Sequence, residues 1–330
     1  MIPKLKDRLD ESGMYTVSYL LFCRGYYSQP EIEAQVTKVR QEIQHRPVAF
    51  IDWEHDKILS DKTFDFVGFP YILGPHHDTG NWVVCVPTLG DSRFGFKAVS
   101  QLDFLIYVNE YNEEFELDKI DHSKKSKDFL YLNGKAHEHR VKLLERLLDK
   151  DLLRNSIWSA SSPTQSWGKL EKKLDPNYEW PQWRGKSVNG YDDSTRKIYF
   201  PQYNDSICSI VPETEFQNGY HYITEKTCKP LMAEHLFVVL AGAGYLKTLR
   251  NLGFRTFGDH IDESYDEVEN LDLRIEKIVD TLEYITKTDA TVLYKNTEEI
   301  RRHNRELFFS EQFYREYNDH QIRKIRKLMR

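Results

Sequence analysis

Cysteine is scarce in this sequence of 330 residues: there are four, far apart, and none forms a Cys-x-x-Cys pair. A disulfide scaffold and a zinc ribbon both need closely placed cysteines, so the spacing argues against both. Isolated cysteines are typical of the reduced core of a cytosolic protein, and they predict a cytoplasmic location. The four residues are Cys23, Cys85, Cys208 and Cys228.

Long apolar runs are also absent. No stretch approaches the roughly 18 uninterrupted apolar residues of a membrane-spanning helix, and residues 1–13 contain no apolar signal-peptide core. The sequence has no internal repeat, no Gly-x-Gly-x-x-Gly dinucleotide fingerprint and no prominent Asp-x-Asp pair for a metal–diphosphate complex. The net charge of −6 argues against broad electrostatic binding of nucleic acid but leaves a local basic patch open.

What the sequence does contain is typical of a soluble globular protein, with 40% hydrophobic and 30% charged residues. Aromatic residues make up 13% of the chain, which is enough for a well-filled core and for platforms that contact ring-shaped ligands. A length of 330 residues favours two domains over one.

Short apolar runs alternate with helical patterns in the first part of the chain. Residues 31–44 repeat apolar side chains every three or four positions, which predicts an amphipathic helix. Strands are expected on both sides of it, and this alternation indicates an α/β layer with a largely parallel sheet. The strand candidates are residues 15–23, 48–52, 82–86 and 103–108.

The same alternation restarts after a charged segment, residues 117–128, which we interpret as a linker. The fold class predicted is therefore α/β: two Rossmann-like domains face each other across a cleft, followed by C-terminal helices. Ligands of such sheets bind outside the carboxyl ends of the strands. We expect a first domain at 1–120, a second domain at 128–300, and a C-terminal helix at 301–330 that packs back on the first domain.

The second half has its own set of expected elements. Strands are predicted at 129–133, 156–161, 206–211 and 255–257 and within the apolar run before Gly242, and helices at 138–153, 244–254 and over most of 267–330. Residues 163–204, which are rich in Trp, Tyr, Pro and Lys, are expected to be irregular.

Charged residues cluster where one helix begins, in the stretch HYITEKTCKPLMAEHLFVVLAG, residues 221–242. Thr224 is a good N-cap, and Glu225 in the first turn suits the helix dipole, whereas Lys226 does not. Lys226 becomes favourable if an anion binds there, because backbone N–H groups and the ammonium group would hold it together. Lys229 adds a second cation, so an exposed first turn could hold a diphosphate while Glu225 accepts from ribose hydroxyls. The alternative is a solvated pair between Glu225 and Lys229.

The segment Tyr222–Lys226, YITEK, resembles the Tyr-Val-Thr-Glu-Lys signature of the α1,3-fucosyltransferase family. A small-residue helix and an apolar strand follow the signature in that family, and residues 231–242 fill this place here. The resemblance covers roughly residues 127–257 and implies a GT-B-like fold, an inverting sugar transfer and no metal. It implies that residues 1–120 form the acceptor-side domain and residues 128–300 the nucleotide-sugar-binding domain. It also implies donor-binding roles for Tyr222, for Glu215, ten positions before Glu225, and for Arg140, after the strand that opens the second domain.

The catalytic base is not assigned by the resemblance. The family's base follows an Asp-x-x-x-Gly-Phe-like stretch, and DFVGF at 65–69 is loosely similar but has no acid directly after it. The nearby segment GPHHDTG offers His76, His77 and Asp78, any of which can remove a proton from a hydroxyl group. Glu54, at the end of a predicted strand, is a second candidate. A metal site or a polar surface turn are the other interpretations of the histidine pair.

Two further stretches have open interpretations. AGAGYLKTL, at 241–249, is glycine-rich and either lets a ligand approach the backbone or forms a tight strand-to-helix turn. The basic tail, residues 320–330, has an apolar stripe at Ile322, Ile325 and Leu328. That tail either contacts a membrane surface weakly, contacts a phosphate backbone, or packs on the body of the protein.

The function expected from the sequence is transfer of a sugar, with inversion, from a nucleoside-diphosphate sugar to a hydroxyl of a glycan or another acceptor. No cofactor beyond this donor substrate is expected. Two alternatives are a non-catalytic nucleotide- or glycan-binding protein of the same fold and a glycosyltransferase that acts on a modified nucleic-acid base. Binding to nucleic acid itself is disfavoured by the acidic net charge.

Overall fold

The computed structural model of the chain describes residues 4–18, 28–51, 81–86, 88–89, 98–100, 102, 105–106, 120–121, 123, 125–133, 136–160, 198 and 200–329. The α-helices in these ranges are α1 Leu5–Glu11, α2 Gln29–Glu42, α3 Glu138–Asp149, α4 Phe200–Asp205, α5 Glu225–Met232, α6 Tyr245–Asn251, α7 Leu271–Lys287, α8 Ala290–Asn296, α9 Glu298–Phe308 and α10 Glu311–Leu328. The strands are β1 Tyr15–Ser18, β2 Val48–Ile51, β3 Trp82–Val86, β4 Thr88–Leu89, β5 Ala98–Ser100, β6 Lys127–Asn133, β7 Ile157–Ala160, β8 Ser206–Pro212, β9 His221–Tyr222 and β10 Leu236–Leu240.

The chain divides into two units. Unit 1 comprises Met1–Glu110 together with Ser310–Arg330, and unit 2 comprises Tyr111–Phe309. Within the described residues, each unit contains a four-stranded parallel sheet with helices in the connections, so the α/β class with parallel sheets predicted from the sequence is confirmed. Both sheets are compatible with a Rossmann-like arrangement.

The sheet of unit 1 has the strand order β1-β2-β3-β5, and each neighbouring pair is parallel. Its strand β2 is buried at all four positions, as expected for an apolar run inside a parallel sheet. Helix α2 begins with a capping box, in which the side chains of Ser28 and Glu31 accept from each other's backbone N–H groups. Val36 and Val39 form the buried face of this helix.

The sheet of unit 2 has the strand order β7-β6-β8-β10, again with parallel neighbours. Strands β8 and β10 are buried at every position, which explains why both appear in the sequence as uninterrupted apolar segments. Strand β7, which follows β6 in the chain, pairs with one edge of β6, and β8 later pairs with the other edge of β6. The strand order therefore reverses between β6 and β8, which is the topological switch point of the sheet.

Several sequence predictions are wrong in their local structure. Residues 103–108 were expected to form a strand, but Leu105 and Ile106 are helical and their amides donate to the Leu102 carbonyl at 2.9 and 3.2 Å. Residues 255–257 belong to no strand. Helix α4 lies at the end of a segment expected to be irregular. Gly253 ends the α6 region at φ 97°, a left-handed conformation that favours glycine.

The C-terminal stretch 301–330 contains the end of α9 and all of α10 rather than one helix. Ser310 is the N-cap of helix α10, and its hydroxyl oxygen accepts from the Phe313 amide at 3.2 Å. Its side chains Ile322 and Ile325 are buried in the core of unit 1, against α1 and the parallel sheet. The apolar stripe of the tail therefore packs on the protein. None of the described helices is long and apolar enough to cross a membrane.

Candidate functional site

The switch point of the unit 2 sheet is the expected position of a ligand, because the loops after the two central strands separate there. Strand β6 ends at Asn133 and leads to helix α3, and strand β8 ends at Pro212 and leads directly to Glu213. Side chains from α3, from the end of β8 and from the start of α5 meet at this point.

Glu213, which follows β8, forms hydrogen bonds with side chains from both of these helices. Its side chain is fully buried, and its carboxylate accepts hydrogen bonds from the Thr224 amide at 3.1 Å and the Thr224 hydroxyl at 2.5 Å. Three further donors complete the set: the Thr214 amide at 3.2 Å, the Thr227 hydroxyl at 2.6 Å and the Tyr245 hydroxyl at 3.0 Å. Among the described residues this buried carboxylate makes no ion pair within 4.0 Å, and five hydrogen-bond donors satisfy it instead. The carboxylate thereby fixes the starts of α5 and α6 to the end of β8.

The backbone carbonyl of Glu213 holds the first turn of α3. His139 Nε2 donates to it at 2.8 Å, and a terminal guanidinium nitrogen of Arg140 donates at 3.2 Å. Because Nε2 carries the proton, Nδ1 of His139 is an acceptor in the neutral ring. Burial lowers the pKa of His139 to about 3, and the hydrogen bond to Glu213 opposes this only in part. His139 is therefore neutral at physiological pH and acts as a spacer between α3 and β8.

Arg140 is a buried cation. It is 3% exposed, and among the residues that the structure describes it makes no ion pair within 4.0 Å. Burial lowers the pKa of its guanidinium, while the nearby Glu213 and Tyr131, and also Glu225, act in the opposite direction. A buried charge is normally paired, so a guanidinium in this state has the capacity to bind an anion.

Unpartnered polar atoms accompany this cation at the switch point. Within the described ranges, Asn133 Oδ1, His139 Nδ1 and Arg140 Nε are buried and have no hydrogen-bond partner. The Asn133 amide group donates to Tyr131 Oη at 3.0 Å, and the Tyr131 hydroxyl donates to the Arg140 carbonyl at 3.3 Å. Because buried polar groups are satisfied in most proteins, several unpartnered atoms in one place indicate a position where a polar ligand or water can bind.

The first turn of α5 carries the charged residues predicted from the sequence. Thr224 caps the helix, since its hydroxyl oxygen accepts from the Lys226 amide at 3.3 Å. The Lys226 ammonium group forms an ion pair with Glu225 at 2.8 Å and also donates to Thr214 Oγ1 at 3.2 Å. Burial raises the pKa of Glu225, but the charges of Lys226 and Lys229 more than offset it, so that the net shift is downward.

The exposed first turn expected from the sequence is wrong in one respect. The side chains of Lys226 and Glu225 are 23% and 18% exposed, so both are half-buried rather than solvated. The charge at the start of α5 is consequently screened less by water than at an open surface. Lys229, one turn later, is also half-buried and lies close enough to Glu225 to lower its pKa.

Helix α6 provides a comparison, because its N-terminus already holds a carboxylate. Asp266 accepts from the Leu246 amide at 2.8 Å and the Lys247 amide at 3.1 Å. Gly244 adopts φ 85°, and a Cβ on Gly242 would lie 2.1 Å from a backbone carbonyl oxygen. The glycine-rich stretch therefore forms a tight strand-to-helix turn, and the N-terminus that it leads to is occupied from within the protein.

The other predicted donor-side residues lie near the same site. Tyr222 is buried in β9, and Glu215 is half-buried two residues after Glu213. The four candidate bases, His76, His77, Asp78 and Glu54, lie outside the described residues. Sequence reasoning missed Glu213 and His139. An acid directly after an uninterrupted apolar strand, as in SICSIVPE, was the available signal for Glu213.

Comparisons with known proteins do not identify a family for this chain. The chain matches no protein-family model, no curated protein and no solved structure. Within the described part of the chain, no group of three or more His, Cys, Asp or Glu side chains is arranged to hold a metal ion. The function is therefore inferred from the site itself.

Proposed function

We propose that this protein is a glycosyltransferase of GT-B type that binds a nucleoside-diphosphate sugar at the switch point of unit 2. The observation that carries this proposal is the buried guanidinium of Arg140, which has no carboxylate partner among the described residues. A diphosphate supplies the negative charge that such a group needs, and arginine matches phosphate oxygens through its planar set of donors.

The start of α5 supplies the second half of the proposed diphosphate site. Lys226 lies there in a half-buried position, and the helix N-terminus adds partial positive charge. Lys229 is the third cation close to this turn. Glu225 offsets one positive charge, and in the donor complex it accepts from ribose hydroxyls. The cations would then stabilise the charge that develops on the leaving diphosphate.

The proposed reaction is a direct displacement at the anomeric carbon. A base removes the proton of the acceptor hydroxyl, the acceptor oxygen forms a bond to the anomeric carbon, and the bond to the diphosphate breaks. The nucleoside diphosphate leaves with the electron pair, and the anomeric configuration inverts. Asp78 or His77 is the preferred base in this proposal, ahead of His76 and Glu54. No metal has a role, because arginine, lysine and the helix end bear the charge of the leaving group.

Release of a free nucleoside diphosphate tests the proposed function. The protein would be incubated with GDP-, UDP- and dTDP-linked sugars and a panel of hydroxyl acceptors, and the released diphosphate would be measured. Acceptor-dependent release from one donor supports the glycosyltransferase. Binding of a nucleoside diphosphate without release from any donor would favour the non-catalytic binding protein. Absence of both binding and release would refute the proposal.

Matched variants then locate the site. Arg140→Gln should abolish release, whereas Lys142→Gln, an exposed cation two residues later on the same helix, should not. Lys226→Gln should weaken donor binding, because a charge-assisted contact to phosphate is worth on the order of 1.5–3 kcal/mol. Lys247→Gln is the control, since this exposed lysine lies in the first turn of α6, where Asp266 already occupies the helix end. Equal affinities for the variant and its control would remove Lys226 from the site.

A further inference from the structure

The last turns of α10 carry a dense group of exposed cations that the proposed function does not use. Arg323, Lys324, Arg326 and Lys327 are all exposed, and together they form what we term the cationic face. None of the four makes an ion pair or a hydrogen bond with another described side chain. Four positive charges within five residues stand out in a chain whose net charge is −6.

The packing of α10 fixes the direction of this face. Ile322 is 7% exposed and Ile325 is fully buried in the core of unit 1, and Leu328 and Met329 pack partly against the same core. At about 100° per residue, the four cations cover the opposite side of the helix. Their side chains therefore project from unit 1 as a group, on a helix that cannot rotate without exposing its apolar stripe.

The internal ion pairs of α10 end before this face begins. Arg315 pairs with Glu311 inside the helix, and Asp319 pairs with Arg8 of α1 at 2.7 Å. Beyond Asp319 no carboxylate is paired with the cations among the described residues. The helix dipole favours positive charge in the last turn, which accounts for Arg326 and Lys327. It accounts less well for Arg323 and Lys324, and like charges at i,i+3 and i,i+4 destabilise a helix.

We infer that the cationic face is a docking surface for an anionic lipid bilayer. Clusters of lysine and arginine on an amphipathic helix bind anionic headgroups, and each cation strengthens binding by about fivefold. Lipid headgroups move laterally, so several can collect beneath a patch only about 6 Å long. The surface potential falls off within a Debye length of about 10 Å, so charges of the protein farther than this from the membrane contribute little to docking.

A nucleic acid fits this surface less well. A duplex-binding protein contacts roughly 6–10 phosphates along a rigid rod, which is more than a patch of four charges can contact. The mode of membrane contact also differs from that of an inserted amphipathic helix, because the apolar stripe is used inside unit 1. The contact is electrostatic, and it depends neither on the proposed sugar transfer nor on the site in unit 2.

The test is vesicle co-sedimentation of the intact protein. Vesicles of phosphatidylcholine with about 30% phosphatidylserine are compared with pure phosphatidylcholine vesicles at about 0.1 M NaCl and at about 1 M NaCl. Binding to the anionic vesicles alone, and its loss at high salt, is the expected result. Equal sedimentation with both kinds of vesicle, or none with either, overturns the inference.

Three variants assign the binding to the face. R323Q/K324Q/R326Q/K327Q should lose binding by several hundred-fold, as expected for four cations. R323K/K324R/R326K/K327R keeps the charge and should bind like the unchanged protein. K142Q/R154Q/K287Q/R302Q removes the same charge from exposed positions of unit 2 and should also bind normally. Unchanged binding of the first variant, or tighter face-dependent binding of a short DNA duplex than of vesicles, contradicts the proposal.

Discussion

Replacing Glu213 by glutamine keeps the shape of this buried side chain but removes half of its capacity to accept hydrogen bonds. If the amide oxygen takes the place of Oε1, it still accepts from the Thr224 amide, the Thr227 hydroxyl and the Tyr245 hydroxyl. The new NH2 group then faces the Thr224 hydroxyl and the Thr214 amide, which both donate to Oε2 in the carboxylate. The hydroxyl can rotate to accept, whereas the amide cannot.

The expected loss of stability follows from these two positions. Leaving a buried donor unsatisfied costs about 1–3 kcal/mol, and hydrogen bonds to a charged acceptor are stronger than those to a neutral one. The unsatisfied Thr214 amide, together with the weaker hydrogen bonds to a neutral acceptor, predicts that Glu213→Gln lowers the free energy of unfolding by about 2–4 kcal/mol. Urea unfolding followed by circular dichroism measures this difference.

A surface carboxylate provides the matched control. Glu299 is 76% exposed and pairs with Arg255, so Glu299→Gln should change the free energy of unfolding by less than about 1 kcal/mol. If Glu213→Gln were no more destabilising than this control, the hydrogen-bond network would not be what holds α5 and α6 to β8.

The same variant tests a second prediction, about ligand binding. The backbone carbonyl of Glu213 is unchanged in Glu213→Gln, so Arg140 keeps its hydrogen bond to it. The folded variant should therefore bind a nucleoside diphosphate at least as tightly as the unchanged protein, and a tenfold loss of affinity would show that the carboxylate touches the ligand.

Three further predictions concern other positions. Gly242→Ala should destabilise the protein by about 1–3 kcal/mol in urea unfolding, because its Cβ would clash with the backbone. In the control Gly219→Ala the new Cβ has open space, and only the backbone angle φ of 83° disfavours alanine. Equal losses of stability in the two variants would contradict the clash. His139 has a depressed pKa of about 3, so the unfolded state binds the extra proton and stability falls as pH drops from about 6.5 toward 3. His139→Gln should flatten this dependence by up to about 1.4 kcal/mol per pH unit, and an unchanged pH dependence in the variant would show that His139 is not buried in its neutral form. Burial, with a contribution from a nearby arginine, lowers the pKa of Lys125 to about 7, so NMR of the reductively methylated amine should show titration near neutrality rather than near 10.5.

Most of the fold could be predicted because the relevant information is local. Strands β3, β8 and β10 are apolar runs bounded by polar residues, and such runs are what a strand buried in a parallel sheet requires. The same reasoning fails for Leu105 and Ile106, since a short apolar run fits a buried helical turn equally well.

The candidate site could be predicted only in part, for the same physical reason. Thr224 and Lys226 stand out because capping and dipole effects act within one turn. The contacts of Glu213 join residues distant in sequence; the bond from Tyr245, for example, spans 32 positions. Nothing local in the sequence indicates that the five donors will converge on one carboxylate. The strand order, which reverses between β6 and β8, is likewise a property of the assembled sheet.

The central claim is that a diphosphate binds between Arg140 and the first turn of α5. Isothermal titration of the intact protein with GDP, UDP, dTDP, the matching nucleosides and inorganic pyrophosphate tests it most directly. The account predicts that one nucleoside diphosphate binds, that its nucleoside binds far more weakly, and that pyrophosphate competes with it. It also predicts that Lys226→Gln loses about 10- to 100-fold in affinity while Lys247→Gln does not. Binding that is insensitive to the phosphates and to Lys226→Gln, or no binding of any of these compounds, would contradict it.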